Sequence, residues 1–395
     1  MIRRLSELDV TRRHVLVRVD FNVPITPEGT VRDDTRIRAA LPTIHAILDR
    51  GGFPILLSHL GRPKGRTPMF SLRPVAHHLQ TLLQRAVHFA DDCIGEVARK
   101  TIMHAQEGEL VLLENLRFHP GEEQNDAQFA AELASLGDVY VNDAFGTVHR
   151  AHASISAITS HFVGRRAVGL LMEQELAYLS KVFHDPPRPF VAIVGGAKIA
   201  DKIKVLESLL VQADIVLIGG GLANTFLASQ RHYIGDSIVD ERFVGHAKAL
   251  YDRYGIKLYL PVDVVIADEL SEHALTATVG IQEVPHEGEW KIFDIGPDTI
   301  ATYTDLILSA AFIVWNGPMG AFEVKPFRKG TLAIASAVAD ATERGAVSIV
   351  GGGDSIAAVT MANVHDRISH ISTGGGATLE YLEGKPLPGI VALDE

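Results

Sequence analysis

Short β-branched runs that alternate with helical segments are the feature that most constrains how this chain can fold. The runs occupy residues 15–19, 55–58, 110–113 and 139–141 in the first half, and residues 191–194, 215–218, 312–315, 349–350 and 371–373 in the second. Between them, patterns such as residues 35–48 place apolar side chains on one side of a helix. The alternation predicts an α/β fold in which parallel sheets are wrapped by helices.

The length of the chain and a proline-rich stretch indicate two domains. At 395 residues the chain is too long for one hydrophobic core. Residues 168–183 are predicted to form a helix, and Pro186, Pro187 and Pro189 end regular structure soon after it. The predicted domains are therefore residues 1–170 and 171–375, with the hinge helix over about residues 168–185.

Arginine recurs at or shortly after the strand ends of the first half. The four residues concerned are Arg36, Arg62, Arg117 and Arg150. In parallel sheets, ligands bind beyond the carboxyl ends of the strands, and guanidinium groups bind phosphate and carboxylate with two hydrogen bonds. Any one of these arginines could be a solvated surface residue, but the set predicts a basic bowl for a small, multiply charged anion.

Glycine takes the place of arginine at the strand ends of the second half. It occurs at residues 195–196, 219–221, 317, 351–353 and 374–376. Successive amides without Cβ atoms can surround a phosphate, especially where a helix follows. Asp354 then stands where a carboxylate could hold Mg²⁺ on that phosphate. The alternative is a tight strand-to-helix turn with Asp354 as the helix N-cap.

Lys198 and Lys202 follow the first of these glycine pairs. They are spaced i,i+4, so on a helix they would share one face and reach the same phosphates. A solvated helix face is the alternative interpretation, and the neighbouring glycines favour phosphate contact.

Composition excludes several classes of partner. The formal net charge of −11 disfavours nucleic acid and acidic membranes as general partners, so a bound anion needs a local basic pocket. Cys93 is the single cysteine, which excludes an internal disulfide and suits a reducing cytosol; we interpret it as a small buried hydrophobe. The first residues lack the apolar core of a signal peptide, and no apolar run is long and clean enough to span a bilayer.

Motif searches exclude further classes. Neither HExxH nor CxxC occurs, and His149 and His152 have no ligand-spaced partner, so zinc is disfavoured and both histidines are interpreted as hydrogen-bonding or structural. GxxxxGK[ST] is absent, which excludes a P-loop ATPase. GxGxxG is also absent, because the candidate that begins at Gly219 fails at Asn224.

Taken in order, these segments resemble the phosphoglycerate kinase family nearly from end to end. The matching segments are residues 18–24, 58–63, 114–118, 149–152, 195–198, 219–221, 314–318, 351–355 and 372–376. Small departures are Val148, Asp236, Asp298 and Thr378, and none touches a charge assigned to the chemistry.

The resemblance implies two doubly wound, Rossmann-like domains separated by a cleft, one binding phosphoglycerate (1–170) and one binding nucleotide (171–375). Residues 376–395 would return to the first domain. It also implies reversible phosphoryl transfer between 1,3-bisphosphoglycerate and Mg-ADP, giving 3-phosphoglycerate and Mg-ATP. The cofactor would be Mg²⁺, ATP and ADP would be co-substrates, and the protein would be a cytoplasmic monomer.

The same resemblance assigns roles to individual residues. Arg36, Lys198, Gly374 and Gly375 would act on the transferred group, and Asp354 would bind magnesium. The substrate would be held by Asp20, Phe21, Asn22, Arg36, His59, Leu60, Gly61, Arg62, Arg117 and Arg150. The nucleotide would be held by Gly195, Lys202, Gly219, Gly220, Asn316, Pro318, Glu323, Gly351, Gly352, Gly353, Asp354 and Ser355.

This chemistry requires alignment and charge stabilisation rather than proton transfer. The acceptor in the ATP-consuming direction is a carboxylate, whose reference pKa of roughly 4 leaves it ionised at neutral pH, so no general base is needed. Because the arginines and the glycines lie in different halves, hinge closure is predicted near residues 168–188.

Two other classes of function are compatible with such a fold. An NAD-dependent oxidoreductase also uses doubly wound domains, but the missing dinucleotide fingerprint counts against it. A nucleotide-binding regulator derived from a kinase would have no need to keep Arg36, Lys198 and Asp354 together.

Overall fold

The computed structural model describes residues 2–197 and 199–394 and divides the chain into two compact units. The first unit runs to Ala177 and also contains the chain from Pro386 onward, whereas the second runs from Tyr178 to Lys385. The segment that packs with the first unit therefore begins at Pro386, later than the expected residue 376. Which ligand each unit binds stays a prediction from the sequence.

The first unit alternates strands and helices along the chain. Its elements are β1 (His14–Arg18), α1 (Thr35–Asp49), β2 (Phe53–Leu57), α2 (Arg73–Leu83), β3 (Val87–Ala90), α3 (Gly95–His104), β4 (Leu110–Leu113), α4 (Ala127–Ala134), β5 (Val139–Asn142), β6 (Arg166–Val168) and the start of α5 (Leu170–Leu179). All six strands are parallel, in the order β3-β4-β2-β1-β5-β6. Strands β4 and β5 are buried at every residue, so both faces of the sheet are covered.

The second unit repeats this architecture. Its elements are β7 (Phe190–Val194), α6 (Ile203–Gln212), β8 (Ile215–Ile218), α7 (Gly220–Ser229), α8 (Val244–Tyr254), β9 (Leu258–Tyr259), β10 (Asp263–Ala267), β11 (Thr276–Gly280), β12 (Lys291–Ile295), α9 (Pro297–Leu308), β13 (Phe312–Asn316), α10 (Lys329–Glu343), β14 (Val347–Gly351), α11 (Gly353–Met361), β15 (His370–Ile371) and α12 (Gly376–Leu382). The short helix α13 (Pro388–Val391) belongs to the first unit.

The main sheet of the second unit has the order β15-β14-β13-β7-β8-β9, with parallel pairing throughout. From β7 the chain winds outward through β8 and β9, then returns to build β13, β14 and β15 on the other side. This is the doubly wound order, and its switch point lies between β7 and β13. The fold class predicted from the sequence, α/β with two doubly wound parallel sheets, is confirmed.

A three-stranded antiparallel sheet, ordered β11-β10-β12, is an addition that the sequence analysis did not predict. It has its own small core, in which Val264 and Ile266 of β10 pack near Leu227 of α7. The two larger cores belong to the parallel sheets and their helices.

The predicted helix over residues 168–183 is divided in the structure. Val168 ends strand β6, α5 starts at Leu170, and a 3-10 turn covers Ser180–Val182. Between strand and helix, the amide of Gly169 donates to the carbonyl of Asn142, and a Cβ on Gly169 would collide with the carboxyl of Asp143. The apolar periodicity continues across this junction, which is why it resembled a single helix.

None of the described helices combines the length and the apolar character that a bilayer crossing requires.

Candidate functional site

Arg36 is oriented by the polar segment that follows β1. Its Nη1 donates to Oδ2 of Asp20 at 3.0 Å and to the carbonyl of Asn22 at 3.2 Å. Arg36 lies in the first turn of α1, where a cation is unfavourable unless an anion offsets it. Asp20 is that anion in the protein itself, and about a third of the Arg36 side chain remains exposed to receive another.

Arg18 was not predicted as part of the site, yet it lies fully buried beneath it. It donates to the hydroxyl of Ser154 at 2.8 Å, and its Nη2 lies 3.2 Å from Nδ1 of His59. Arginine has no acceptor, so Nδ1 of His59 accepts and the imidazole is neutral. The signal in the sequence was an arginine inside an otherwise apolar strand.

Glu122 provides the counter-charge for this buried arginine. One of its oxygens lies 4.0 Å from Arg18, and the carboxylate accepts the amide of Ser154 at 2.9 Å and its hydroxyl at 2.6 Å. Since both charged groups are fully buried, their pairing keeps the base of the site rigid.

Arg117 is held against the loop after β2. Its Nη1 donates to the carbonyl of Gly61 at 2.6 Å, and its Nε lies 3.3 Å from Glu123. The amide of Gly61 in turn donates to the side-chain oxygen of Asn22 at 2.8 Å. The segments after β1, β2 and β4 therefore meet at one edge of the sheet, as predicted.

Arg150 and the histidines beside it complete this edge. Nε of Arg150 donates to Nε2 of His149 at 3.1 Å. Burial, followed by the charges of Arg117, Arg18 and Arg150, lowers the pKa of His152 to about 4. The interpretation of His149 and His152 as hydrogen-bonding or structural residues fits these contacts.

The same electrostatics act on His59 and Arg117. Burial and then the charges of Arg18, Arg117 and Arg36 hold the pKa of His59 well below its ordinary value. Burial also lowers the pKa of Arg117. The imidazoles of His59 and His152 are therefore neutral at neutral pH and lie among crowded guanidinium groups, whose positive charge favours an anion.

The surroundings of three further residues expected to bind substrate are as follows, and their role stays a prediction. Phe21 is fully buried, and its amide donates to the hydroxyl of Ser58 at 2.9 Å. Leu60 is buried, and its amide and carbonyl bond to the side chain of Asn115 at 3.2 and 2.8 Å. Arg62 is exposed to solvent.

In the second unit, the switch point between β7 and β13 is packed backbone against backbone. The amide of Gly195 donates to the carbonyl of Asn316 and that of Gly196 to the carbonyl of Pro318, both at 3.0 Å. Gly317 has a φ of +96°, and a Cβ there would collide with the carbonyl of Gly195. Glycine is therefore required here by geometry.

Lys202 and Asn316 join the segments after β7 and β13. The Lys202 ammonium donates to Oδ1 of Asn316, while Nδ2 of Asn316 donates to the carbonyl of Gly351 at 2.9 Å. Burial lowers the pKa of Lys202, and the charge of Asp354 opposes that shift. Lys202, Asn316 and Asp354 thus lie near one another.

The shared face considered for Lys198 and Lys202 on a helix stays a prediction, because only Lys202 is among the described residues. Residues Ile199–Asp201 form a 3-10 turn and α6 begins at Ile203, so Lys202 immediately precedes that helix. Lys198 lies outside the described residues.

The glycine run after β14 leads into α11. Gly352, with φ +92°, is the N-cap residue, so Asp354 lies in the first turn rather than at the cap. Ser355 is buried, and its hydroxyl accepts the amide of Gly317 at 2.6 Å. Gly353 and Asp354 are exposed at this helix start, where a phosphate is favoured by the helix dipole.

Gly374 and Gly375 follow β15 in the same way. The amide of Gly374 lies 3.3 Å from the hydroxyl of Ser372, and Gly375 is the N-cap residue of α12. A Cβ added to Gly375 would meet no atom within 4 Å.

A cavity of about 240 Å³ joins the predicted nucleotide residues on one side to an apolar wall on the other. Its lining includes Gly220, Pro318, Glu323 and Asp354, all of which the sequence analysis assigned to nucleotide binding. Gly219 lies just outside the cavity, as the N-cap residue of α7. The apolar wall, which sequence reasoning missed, includes Leu227, Ile238, Val264 and Ile295.

These features define a class of protein. It is a two-unit α/β protein with guanidinium groups clustered at the strand ends of one doubly wound sheet and glycine-rich strand ends on the other.

Comparison with known proteins gives the family. A family model described as phosphoglycerate kinase matches residues 5–385. The chain is 53% identical over 403 residues to phosphoglycerate kinase of Acidobacterium capsulatum, covering 99% of this chain and 98% of that protein. It is 52% identical over 397 residues to that of Prosthecochloris aestuarii, covering 100% and 99% of the two chains. The structure of phosphoglycerate kinase from Coxiella burnetii is similar with a TM-score of 0.90 at 41% identity, covering 100% of this chain and 99% of that one. The chain belongs to the phosphoglycerate kinase family.

Proposed function

We propose that this chain catalyses reversible phosphoryl transfer between 1,3-bisphosphoglycerate and Mg-ADP, giving 3-phosphoglycerate and Mg-ATP in glycolysis and gluconeogenesis. The enzyme is a phosphotransferase with a carboxyl group as acceptor, as its family membership implies. The observation that supports the reaction best is the contrast between the two sites. Arg36, Arg117 and Arg150 suit a small, multiply charged acid, whereas the glycine ends suit a polyphosphate beside an apolar wall.

The residues of the first site would bind and orient the phosphoglycerate. Arg117 and Arg150 would contact its charged groups, while Arg36 would lie near the transferred phosphoryl group. Because His59 and His152 are neutral, they would act as hydrogen-bonding groups rather than as acids. This assignment agrees with a reaction that needs no general base.

The residues of the second site would bind the nucleotide. The amides of the segments after β7, β13 and β14 would surround the phosphates, and Lys202 would contact them. Glu323 is an exposed carboxylate on the cavity and would bind the ribose hydroxyls. The amides of Gly374 and Gly375 would contact the moving phosphoryl group.

The donor set of the second site fits Mg²⁺. Asp354 presents an exposed carboxylate on the cavity, and Mg²⁺ commonly takes one or two carboxylates and completes its shell with phosphates and water. When bound, the ion would neutralise phosphate charge and orient the phosphate chain. Asp354 would hold it.

In-line transfer requires the reacting atoms to approach within about 3–3.5 Å. Because the two sets of residues belong to different units, we expect binding of both substrates to cause closure near residues 168–188 and to exclude water. Small-angle scattering with neither, one and both ligands tests this, and an unchanged radius of gyration with both would argue against closure.

A coupled assay of ATP formation from 1,3-bisphosphoglycerate and ADP tests the proposed reaction. We expect activity with magnesium and none after chelation. Lys198→Ala should lower kcat by orders of magnitude while ADP binding weakens much less. Equal losses in binding and turnover would make Lys198 a simple anchor.

We also propose that the protein acts as a monomer in the cytoplasm, without nucleic-acid or membrane partners. The net charge of −11 argues against nucleic-acid and membrane partners, and the single cysteine suits a reducing cytoplasm, whereas the monomer rests on the family resemblance alone. Sedimentation at working concentration tests the monomer.

A further inference from the structure

Asp92, Cys93 and His119 form a compact group of potential metal ligands outside the sites described above. One ligand atom from each lies within 4.8 Å of the others. Asp92 and Cys93 follow β3, and His119 follows the 3-10 turn Leu116–Phe118 beyond β4. The fold brings together residues that are not spaced as a metal motif in the sequence.

Contacts within the group and with Phe129 hold the side chain of His119 in position. Nε2 of His119 lies 2.7 Å from Oδ1 of Asp92, and the imidazole stacks on Phe129 with ring centroids 5.2 Å apart. The thiol of Cys93 is buried behind them, with its residue 1% exposed. Asp92 and His119 are each a little over a quarter exposed, which gives a cation a route from solvent.

The charges around the thiol favour a cation. The carboxylates of Asp92, Glu122 and Glu114 all act electrostatically on the buried thiol of Cys93. The same negative charges that disfavour a thiolate alone would favour a divalent ion at that position. Arg66 offsets part of this charge, since its Nη1 lies 3.4 Å from Oδ2 of Asp92.

We propose that Asp92, Cys93 and His119 bind one Zn²⁺ ion, with water as the fourth ligand. Thiolate, imidazole and carboxylate are the ligands that zinc prefers, and in a tetrahedral site they lie about 3.5 Å apart. The ligand atoms are within 4.8 Å already, so side-chain shifts of about 1 Å suffice. The thiol proton passes to solvent as the sulfur–zinc bond forms.

The site would connect the segments that leave β3 and β4, close to Arg117. It is separate from the proposed magnesium site at Asp354, which belongs to the other unit. Oxygen-preferring Mg²⁺ is a poor competitor for a site that contains a thiol and an imidazole. The proposal does not depend on the proposed reaction, and its test uses neither substrate.

Cobalt provides a direct test, because a thiolate bound to Co²⁺ gives a charge-transfer absorption band in the near ultraviolet. The chain has a single cysteine, so any such band must come from Cys93. We titrate reduced, metal-free full-length protein with Co²⁺ and then with Zn²⁺. We expect a band that saturates at one equivalent, is removed by one equivalent of Zn²⁺ and persists in excess Mg²⁺.

Substitutions test the contribution of each of the three ligands to metal binding. Cys93→Ser should abolish the band, and His119→Gln and Asp92→Asn should each weaken Co²⁺ binding by about 10-fold or more. His45→Gln removes an exposed histidine elsewhere in the first unit and should change nothing. Circular dichroism checks that each variant is folded, and if Cys93→Ser is not, the other two variants decide. Absence of the band, or a band unchanged in His119→Gln, would overturn the proposal.

Discussion

Nη1 of Arg36 donates to Oδ2 of Asp20 at 3.0 Å, which holds a partly exposed guanidinium in place. Two positions further along α1, Arg38 pairs with Asp34 at 2.9 Å and is more exposed. The two arginine side chains lie on the same helix but point in different directions, that of Arg36 toward Asp20 and that of Arg38 toward Asp34. They therefore form a matched pair for separating a substrate contact from general surface charge.

Replacing Arg36 with Met should lower kcat/KM by on the order of 10²- to 10³-fold, because the proposed function places this charge near the transferred group. Arg38→Met removes the same charge from the same helix and should leave activity near the wild-type value. Steady-state kinetics with varied 3-phosphoglycerate measures both. Similar losses in the two variants would show that only the overall positive charge matters.

Two glycine substitutions should separate folding from nucleotide binding in the second unit. Gly317→Ala should destabilise the unit by about 1–3 kcal/mol or more, since φ is +96° and a Cβ would collide with the carbonyl of Gly195. A Cβ at Gly353 meets no protein atom within 4 Å, so Gly353→Ala should leave the midpoint of unfolding nearly unchanged. It should nevertheless weaken ADP binding by about 10-fold or more if phosphate occupies that space.

Denaturation monitored by tryptophan fluorescence and calorimetric titration with ADP measure the two quantities. Both tryptophans, Trp290 and Trp315, lie in the second unit, so their fluorescence reports on that unit. Unchanged ADP affinity in Gly353→Ala would place the phosphates elsewhere.

The pKa of His152 makes a prediction for the first unit. Its folded value of about 4 lies below the ordinary 6.5, so the unfolded chain takes up the proton first as the pH falls. The free energy of unfolding should therefore decrease between about pH 6.5 and pH 4, by up to about 1.4 kcal/mol per pH unit for this one group. His152→Gln should reduce that slope.

Hydrogen exchange of the amides in β1 and β5 at pH 7 and pH 5 follows the first unit alone. His45→Gln, which removes an exposed histidine, should keep the wild-type slope. An equal slope in His152→Gln and wild type would contradict the assignment.

Much of the fold was predictable because parallel strands have a strong signature. The apolar run at residues 110–113 has the same first and last residues as β4. The prediction succeeded here because every residue of this strand is buried and therefore apolar. Strand β3 was missed because its sequence includes a histidine and its first three residues are only partly buried. Among the antiparallel strands, β11 was missed for a similar reason, since it contains no buried residue.

The site was predictable to the extent that it depends on strand ends. Arg36 and Arg117 follow from the rule that the carboxyl ends of parallel strands meet at one edge. Arg18 and the apolar wall around Val264 did not follow, because burial of an arginine and closure of a cavity depend on tertiary packing. The group formed by Cys93 and His119 likewise exists only once β3 and β4 are paired.

Asp294 makes the last prediction, with the opposite sign to that of His152. This carboxyl on β12 accepts the amide of Gly330 at 2.7 Å and that of Ile295 at 2.9 Å. Burial nevertheless raises the pKa of Asp294 to about 7, with the two amides opposing the shift. The folded state thus holds the proton more tightly than the unfolded chain, whose value is near 3.9.

The contribution of Asp294 to stability should therefore be fully present below about pH 4 and be lost as the pH rises to about 7, at a rate of at most about 1.4 kcal/mol per pH unit. Relative to Asp294→Asn, which cannot titrate, the wild type should lose stability across that window. Urea unfolding monitored by tryptophan fluorescence at several pH values measures the difference. Asp305→Asn removes an exposed carboxylate from α9 in the same unit and should show no such trend. A wild-type curve parallel to that of Asp294→Asn between pH 4 and 7 would mean that Asp294 is ionised in the folded protein, and that the amides of Gly330 and Ile295 outweigh its burial.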